Sequence, residues 1–313
     1  DFIYNTLNSE YTLFGNNLPY PERYTVLSAL ALKYKVKRLT VTTSLLINYA
    51  SEKVKNDQPN STYKKLLPTI SLSYAPFSTV DLRIRALYKH GYRIPTFTEL
   101  YYSSVHKKLN PELAKQMNLG VTWVKSFSST PLNYINISVD GYYNKVDDKL
   151  VIEPRTFMSL TKNIGEVDIK GVDVKVFTNI AVSSSITLDI AGSYSYMEAL
   201  DKSDPSKESY KHQIPYTPKH SGNFSFTINN PYVNLSYSVV SVTKRYSRMP
   251  NRADYRVDGF SDHSISLFKE WKIKENTLYA QGGISNIGNK NYDIIKSYPM
   301  PGRSFNFTAG FRF

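Results

Sequence analysis

The last ten residues, Ser304-Phe305-Asn306-Phe307-Thr308-Ala309-Gly310-Phe311-Arg312-Phe313, decide how the rest of the chain is read. Phe305, Phe307, Ala309, Phe311 and Phe313 share one parity, while Ser304, Asn306, Thr308, Gly310 and Arg312 hold the other. A period of two places each set on its own face of an extended strand; helical spacing would scatter both around a cylinder. The alternation recurs in Val80-Asp81-Leu82-Arg83-Ile84-Arg85-Ala86, in Ile135, Ile137 and Val139 against Asn136, Ser138 and Asp140, and in Val233, Leu235 and Tyr237 against Asn234, Ser236 and Ser238. In a fourth segment Ile186, Leu188, Ile190, Tyr194 and Tyr196 oppose Thr187, Asp189, Ser193 and Ser195.

Composition says what those faces meet. Only 41% of the 313 residues are hydrophobic, yet 14% are aromatic, with 26 Tyr against 2 Trp. No apolar run approaches the about 18 residues of a transmembrane helix. One apolar and one polar strand face, repeated along a Ser/Thr/Asn/Tyr-rich chain, is the signature of a transmembrane antiparallel β-barrel whose strands meet lipid outside and a polar lumen inside. Cysteine is absent. The net charge of +13 is spread through turns, loops and polar faces, which suits solvated loops and anionic lipid head groups; no nucleic-acid partner is expected. The start, Asp1-Phe2-Ile3-Tyr4, reads as mid-strand sequence without a signal peptide, so a mature protein or a piece of a longer one is expected.

The pattern predicts about 14 strands, near 2–14, 24–35, 38–50, 63–75, 78–90, 112–125, 131–146, 167–179, 184–197, 219–229, 232–244, 259–270, 276–287 and 303–313. Each suffices for a tilted crossing of roughly 9–11 residues. Short connections (Val36-Lys37, Pro76-Phe77, Asn230-Pro231, 126–130, 180–183, 271–275) alternate with long ones (15–23, 51–62, 91–111, 147–166, 198–218, 245–258, 288–302). Tight turns at one barrel end and long loops at the other are the asymmetry of outer-membrane barrels, and counting places Phe313 on the tight-turn, periplasmic side. Tyr49, Tyr63, Tyr88, Tyr142, Tyr143, Tyr194, Tyr196 and Tyr237, near strand ends, suit interfacial girdles.

Several segments resemble the TonB-dependent transporters of Gram-negative bacteria. His90-Gly91-Tyr92-Arg93-Ile94-Pro95-Thr96-Phe97-Thr98-Glu99-Leu100-Tyr101-Tyr102 is similar to the family's aromatic-Arg-x-Pro box with its Glu-Leu-Tyr run, and Asn110-Pro111-Glu112-Leu113 to its Asn-Pro-x-Leu box. Lys170-Gly171-Val172-Asp173 matches a Lys-Gly-Val-Glu strand with Asp for Glu. Asn286-Ile287-Gly288, with Tyr292, resembles the family's Asn-Leu-Phe ending, and Pro301-Gly302-Arg303 its lead-in to the closing strand. The resemblance implies a barrel of about 22 strands around an N-terminal plug. The whole chain, 1–313, would then be the C-terminal two-thirds of the barrel, without plug or first strands, and its closing strand would pair with a first strand outside the chain. It also implies coupling to TonB-ExbB-ExbD through the plug, and a terminal Phe313 that resembles the signal read by the barrel-assembly machinery.

Candidate chemistry is sparse. His90, His106, His212, His220 and His263 lie in different segments without metal-ligand spacing, and no Ser stands in a Gly-x-Ser-x-Gly setting, so no enzyme, resident metal or cofactor is expected. His106, between the two boxes and beside Lys107-Lys108, would be an axial iron ligand only if the cargo were haem. Substrate-binding candidates in the long loops are Tyr101, Tyr102, His106 and Lys107, then Tyr210 and His212 near Tyr216, then Tyr246 and Arg248 in Lys244-Arg245-Tyr246-Ser247-Arg248-Met249. Lipopolysaccharide contact competes for that last basic stretch. Arg83 and Arg85 with Asp81, on the polar face of one strand, are expected to pair with plug residues. The expected activity is import of a large scarce nutrient, cobalamin first, in the style of the cobalamin-receptor branch of Bacteroidetes, with a surface lipoprotein as a further partner. Haem or a ferric siderophore is the alternative cargo. A passive 14-stranded channel and a barrel enzyme are the alternatives of other classes.

Overall fold

The computed structural model describes residues 1–7, 20–55, 60–101, 108–128, 130–154 and 159–313. In chain order the strands are β1 (Phe2–Thr6), β2 (Glu22–Val36), β3 (Leu39–Lys53), β4 (Ser61–Tyr74), β5 (Asp81–Arg93), β6 (Glu112–Ser126), β7 (Leu132–Pro154), β8 (Ser159–Ala181), β9 (Thr187–Asp201), β10 (His220–Asn229) and β11 (Asn234–Val242). They continue as β12 (Arg245–Tyr246), β13 (Arg256–Val257), β14 (Phe260–Ile273), β15 (Asn276–Ser285), β16 (Asp293–Ile295), β17 (Tyr298–Pro299) and β18 (Ser304–Arg312). Fourteen of them form one antiparallel meander in the order β1 to β11, β14, β15, β18. The pairs β12–β13 and β16–β17 are small hairpins inside long connections, and a five-residue helix, α1 (Phe97–Tyr101), follows β5. β1 and β18 are the two edges, so within this chain the wall is open.

Register carries one parity across the whole sheet. Leu30 faces Leu45, which faces Pro68; Leu119 faces Gly141; Val121 faces Val139, then Val174, then Tyr194; Gly282 faces Phe307. This face exposes Leu30 at 68%, Leu119 at 61% and Phe307 at 75%, far more apolar surface than a water-facing sheet carries, so it is the lipid face. The opposite face is polar and knits itself together: Arg85 reaches Asp140 (2.9 Å), Ser195 donates to Asp173 (2.6 Å), and Asn229 donates to Asp189 (2.7 Å). Arg85, expected to meet the plug, has this partner within the wall.

Two expectations are corrected. Tyr63 and Tyr142 do not join a lipid-side girdle, because register sets them opposite Ala50 and Asn118 on the inner face. Adjacent Tyr142 and Tyr143 cannot share a face of one strand. The segment 147–166 is no simple loop, since β7 and β8 run on to Pro154 and Ser159, 23 residues each. The ladder skips one step, from Asp147 opposite Glu166 to Lys149 opposite Ile164, at Asp148 with φ 54°. Beyond that kink Leu150 and Val151 are both buried although they point to opposite faces.

Tight turns join β2–β3, β10–β11 and β14–β15, and long connections occupy the other end. Arg312 pairs with Thr277, beside the β14–β15 turn, so the C-terminus lies at the tight-turn end. The expected strand 2–14 is described only as far as Thr6 in β1; its remainder lies outside the described residues.

Candidate functional site

The two buried apolar clusters lie at the long-loop end and pack the mouth there. Leu150 joins Leu100, Tyr101 and Leu109; Val151, one residue on, joins Val146, Ile164, Val167, Ala199 and Ile214, with Met249 against them. The β7–β8 extension is thus a blade held on both faces, α1 and its flanks on one side and the 198–218 and 245–258 connections on the other.

The first side is built from the two boxes at either end of the β5–β6 connection. Tyr92-Arg93 pairs across the ladder with Leu113 and Glu112, so Tyr92 and Leu113 face outward while Arg93 and Glu112 face inward. Arg93 Nε donates to Glu112 (2.7 Å) and its Nη1 to both oxygens of Glu99 (3.0 Å each), and Lys149 Nζ donates to Glu112 (2.7 Å). Thr96 and Glu99 form a capping box: the Thr96 amide donates to Glu99 Oε2 (2.8 Å) and the Glu99 amide to Thr96 Oγ1 (3.3 Å). Burial alone would raise the Glu99 carboxyl; the Thr96 amide and the Arg93 guanidinium outweigh it and hold the group below the ordinary range. Asn110 anchors the second box to the kinked blade, its amide donating to Asn163 (2.8 Å) and its side chain to Asp148 (3.1 Å). Pro95 is fully buried, and its carbonyl accepts from Arg23 (2.8 Å).

Beneath α1 lies a buried cluster that sequence reading missed. Arg23 pairs with Glu52 at 2.5 Å and stacks 4.8 Å over Phe97, and the Tyr101 hydroxyl donates to the other Glu52 oxygen (2.5 Å). Burial, then the Glu52 carboxylate, pushes the Tyr101 hydroxyl well above the ordinary phenol range. Arg23 and Glu52 are 29 residues apart and directly opposite each other in the β2–β3 ladder, a proximity visible only once the register is known.

On the second side the chain after β9 doubles back and continues the wall. Asp201 and Ala199 bond through their backbones to His212 and Ile214. Asn251 clamps this segment to the next connection: its amide donates to His212 Nδ1 (3.0 Å), Gln213 donates to its side-chain oxygen (2.8 Å), and its own amide group donates to the Gln213 carbonyl (2.9 Å). Arg252 adds a two-pronged pair to Glu208, which holds that carboxyl below its ordinary range. Arg245 is buried and donates to the carbonyls of Asp258, Asp293 and Ile294, tying the last two long connections together; burial lowers its pKa. The last connection is knotted by Asn286 (φ 50°), which exchanges bonds with Lys290, and by Tyr292, stacked on Phe260 and donating to Asp262 (2.6 Å). Burial first, then Asp262, pushes the Tyr292 hydroxyl up to about 12.

Of the expected site residues, Tyr101 is buried and tied to Glu52. Tyr102, His106 and Lys107 lie outside the described residues. The Tyr210 ring lies 5.5 and 5.4 Å from the ammonium groups of Lys202 and Lys211, and His212 accepts the Asn251 amide proton. Tyr246 lines a cleft of about 720 Å³ with Lys211, Lys219, His220, Lys244 and Arg256, while Arg248 lies over the Tyr255 ring (5.6 Å). Phe313 is 95% exposed. Among the described residues no group of His, Cys, Asp and Glu could hold a metal ion. The arrangement offers packed, hydrogen-bonded connections over a polar lumen.

An open antiparallel wall with a lipid-facing exterior, tight turns at one end and a consolidated mouth at the other is part of an outer-membrane-type β-barrel. Residues 1–287 match the family described as "TonB dependent receptor-like, beta-barrel", and the chain belongs to that family, whose members are outer-membrane barrels of Gram-negative bacteria. It is 23% identical over 257 residues to the "Vitamin B12 transporter BtuB" of Photobacterium profundum, covering 78% of this chain and 38% of that protein. Among solved structures it resembles the "Copper transporter OprC" (TM-score 0.70, 17% identity, 95% of this chain and 48% of that one). It also resembles BauA, the ferric preacinetobactin receptor of Acinetobacter baumannii (TM-score 0.72, 14% identity, 94% and 44%). The chain spans less than half the length of each.

Proposed function

We propose that the full-length protein actively imports a large, scarce nutrient across the outer membrane, with cobalamin as the cargo. The observation that carries this is the similarity over 257 residues to a protein named as a vitamin B12 transporter. The packed, ion-paired mouth supports it, because contacts already made within the loops lower the cost of ordering them on a ligand. Coupling runs to TonB-ExbB-ExbD through an N-terminal plug, the tight-turn end and Phe313 face the periplasm, and a surface lipoprotein covers the long-loop end. The family is one of receptors, and the cargo is moved without covalent change.

Titrating the full-length receptor with cobalamin and with haem tests the cargo. Submicromolar cobalamin binding with weak haem binding is expected. A ferric cargo is the second reading, favoured by neighbours named as iron and siderophore receptors. Tight haem binding abolished by His106→Ala would establish the haem form of that reading. The precursor sequence tests the class: a plug upstream of residue 1 supports import, and its absence supports a passive channel.

A further inference from the structure

The cleft beside Tyr246 opens on the outside of the barrel. His220 shares the parity of Phe224 and Phe226 in β10. Thr243 continues the Tyr237, Val239 and Ser241 parity of β11, and Gly259 that of Ser261 and His263 in β14. Leu200 lies on the outward parity of Tyr194 and Tyr196, with Gln213 bridged to it. All of these line the cleft except the strand residues that set the parity. His220 links the cleft to the outward tyrosines of β9: its Nδ1 bonds the Tyr194 hydroxyl (2.7 Å), and the Tyr196 ring lies 5.2 Å from the imidazole.

Strand length fixes the height. β10 has ten residues and β11 nine, about the length of one crossing, so His220 and Val242 mark the outer membrane boundary and the cleft sits just above it. At that level the outward lysines of the neighbouring strands β6 to β9 are paired. Lys115 pairs with Asp147, Lys145 with Glu166, and Lys170 and Lys219 both with Glu198. The cleft departs from that pairing. Lys219 is shared with Glu198 and Arg256 with Asp258, while Lys211 and Lys244 have no carboxylate partner among the described residues. A concave site with surplus cationic donors, on the same outward face as exposed Tyr194 and Phe224, suits a phosphate joined to sugar and acyl chain.

We propose that this cleft binds the phosphorylated sugar headgroup of an outer-leaflet glycolipid, with the acyl chains lying down the Tyr194–Phe224 face. The proposal rests on the membrane placement of the sheet and is independent of the cargo. The test uses full-length receptor in detergent, incubated with bisphosphorylated lipid A, its enzymatically dephosphorylated form or glucose 1-phosphate, and read by native mass spectrometry. Wild-type protein is expected to retain lipid A and to release it roughly tenfold more readily once the phosphates are removed or in the Lys211→Gln/Lys244→Gln/Arg256→Gln variant. Lys145→Gln, in the paired ladder, should leave retention unchanged. Heat-modifiable gel mobility checks that each variant is folded, and Lys244→Gln alone, at a side chain without an ion pair among the described residues, gives a partial loss if the triple variant fails to fold. Equal retention by wild type and Lys244→Gln, or of both lipid forms, overturns the proposal. Retention of glucose 1-phosphate as strong as that of lipid A overturns the lipid source.

Discussion

Arg93 and Glu52 carry more of the mouth than their separate positions suggest. Arg93 closes a fork on Glu99 and Glu112, so one guanidinium fixes α1 to the start of β6. Because the folded Glu99 carboxyl lies below its unfolded value of about 4.3, its contribution is complete above that value and is lost as pH falls through the folded one. The chain contains no cysteine, so a spin label on Thr98→Cys, an exposed α1 position, reports a single site. Its spectrum should be immobilised at pH 6 and become mobile as the pH falls through the depressed Glu99 value, and Glu99→Gln should abolish the change. A pH-independent spectrum would mean that Glu99 does not hold the helix. Glu52→Ala leaves Arg23 without a carboxylate in a buried setting and should lower stability by about 3 kcal/mol, read as earlier loss of heat-modifiable gel mobility, whereas Lys145→Ala on the outer wall should change little. The boxes around Arg93 are legible in the sequence, but their work is not. Sequence reading treats Tyr101 as a ligand contact, and the fold gives its hydroxyl to Glu52. That partner sits 49 residues away, a relation no local pattern contains.

At the scale of elements, alternation placed all fourteen wall strands, since a one-residue slip would turn every lipid-facing side chain inward. It missed what lies above the membrane. In β7 beyond Asp148, Leu150 and Val151 are both buried, so the two-residue signal vanishes where loops cover both faces and the segment reads as a connection. The same reasoning explains Gly171, read from sequence only as part of a box. Its missing side chain makes room for Tyr142 on the neighbouring strand, and a Cβ there would collide with the Tyr142 hydroxyl and the Tyr196 carbonyl oxygen. Gly171→Val should therefore cost about 1–3 kcal/mol of stability, seen as a lower temperature for loss of the folded gel band. The double change Tyr142→Ala/Gly171→Val should recover part of it. No recovery would place the strain on the Tyr196 backbone alone.

For the whole molecule, two features are coupled: a wall that only lipid can solvate, and a mouth whose loops are welded by Asn251, Arg245 and the β7–β8 blade. The wall was readable because solvent is imposed residue by residue. The mouth was only partly readable, because its contacts join segments tens of residues apart, and the cargo is chosen by surfaces that the shared fold leaves free to vary. The most direct test of the account is equilibrium titration of the full-length receptor with cobalamin, with haem in parallel. The account predicts saturable submicromolar binding of cobalamin and weak binding of haem. Tight haem binding that His106→Ala removes, with no saturable binding of cobalamin, would contradict it.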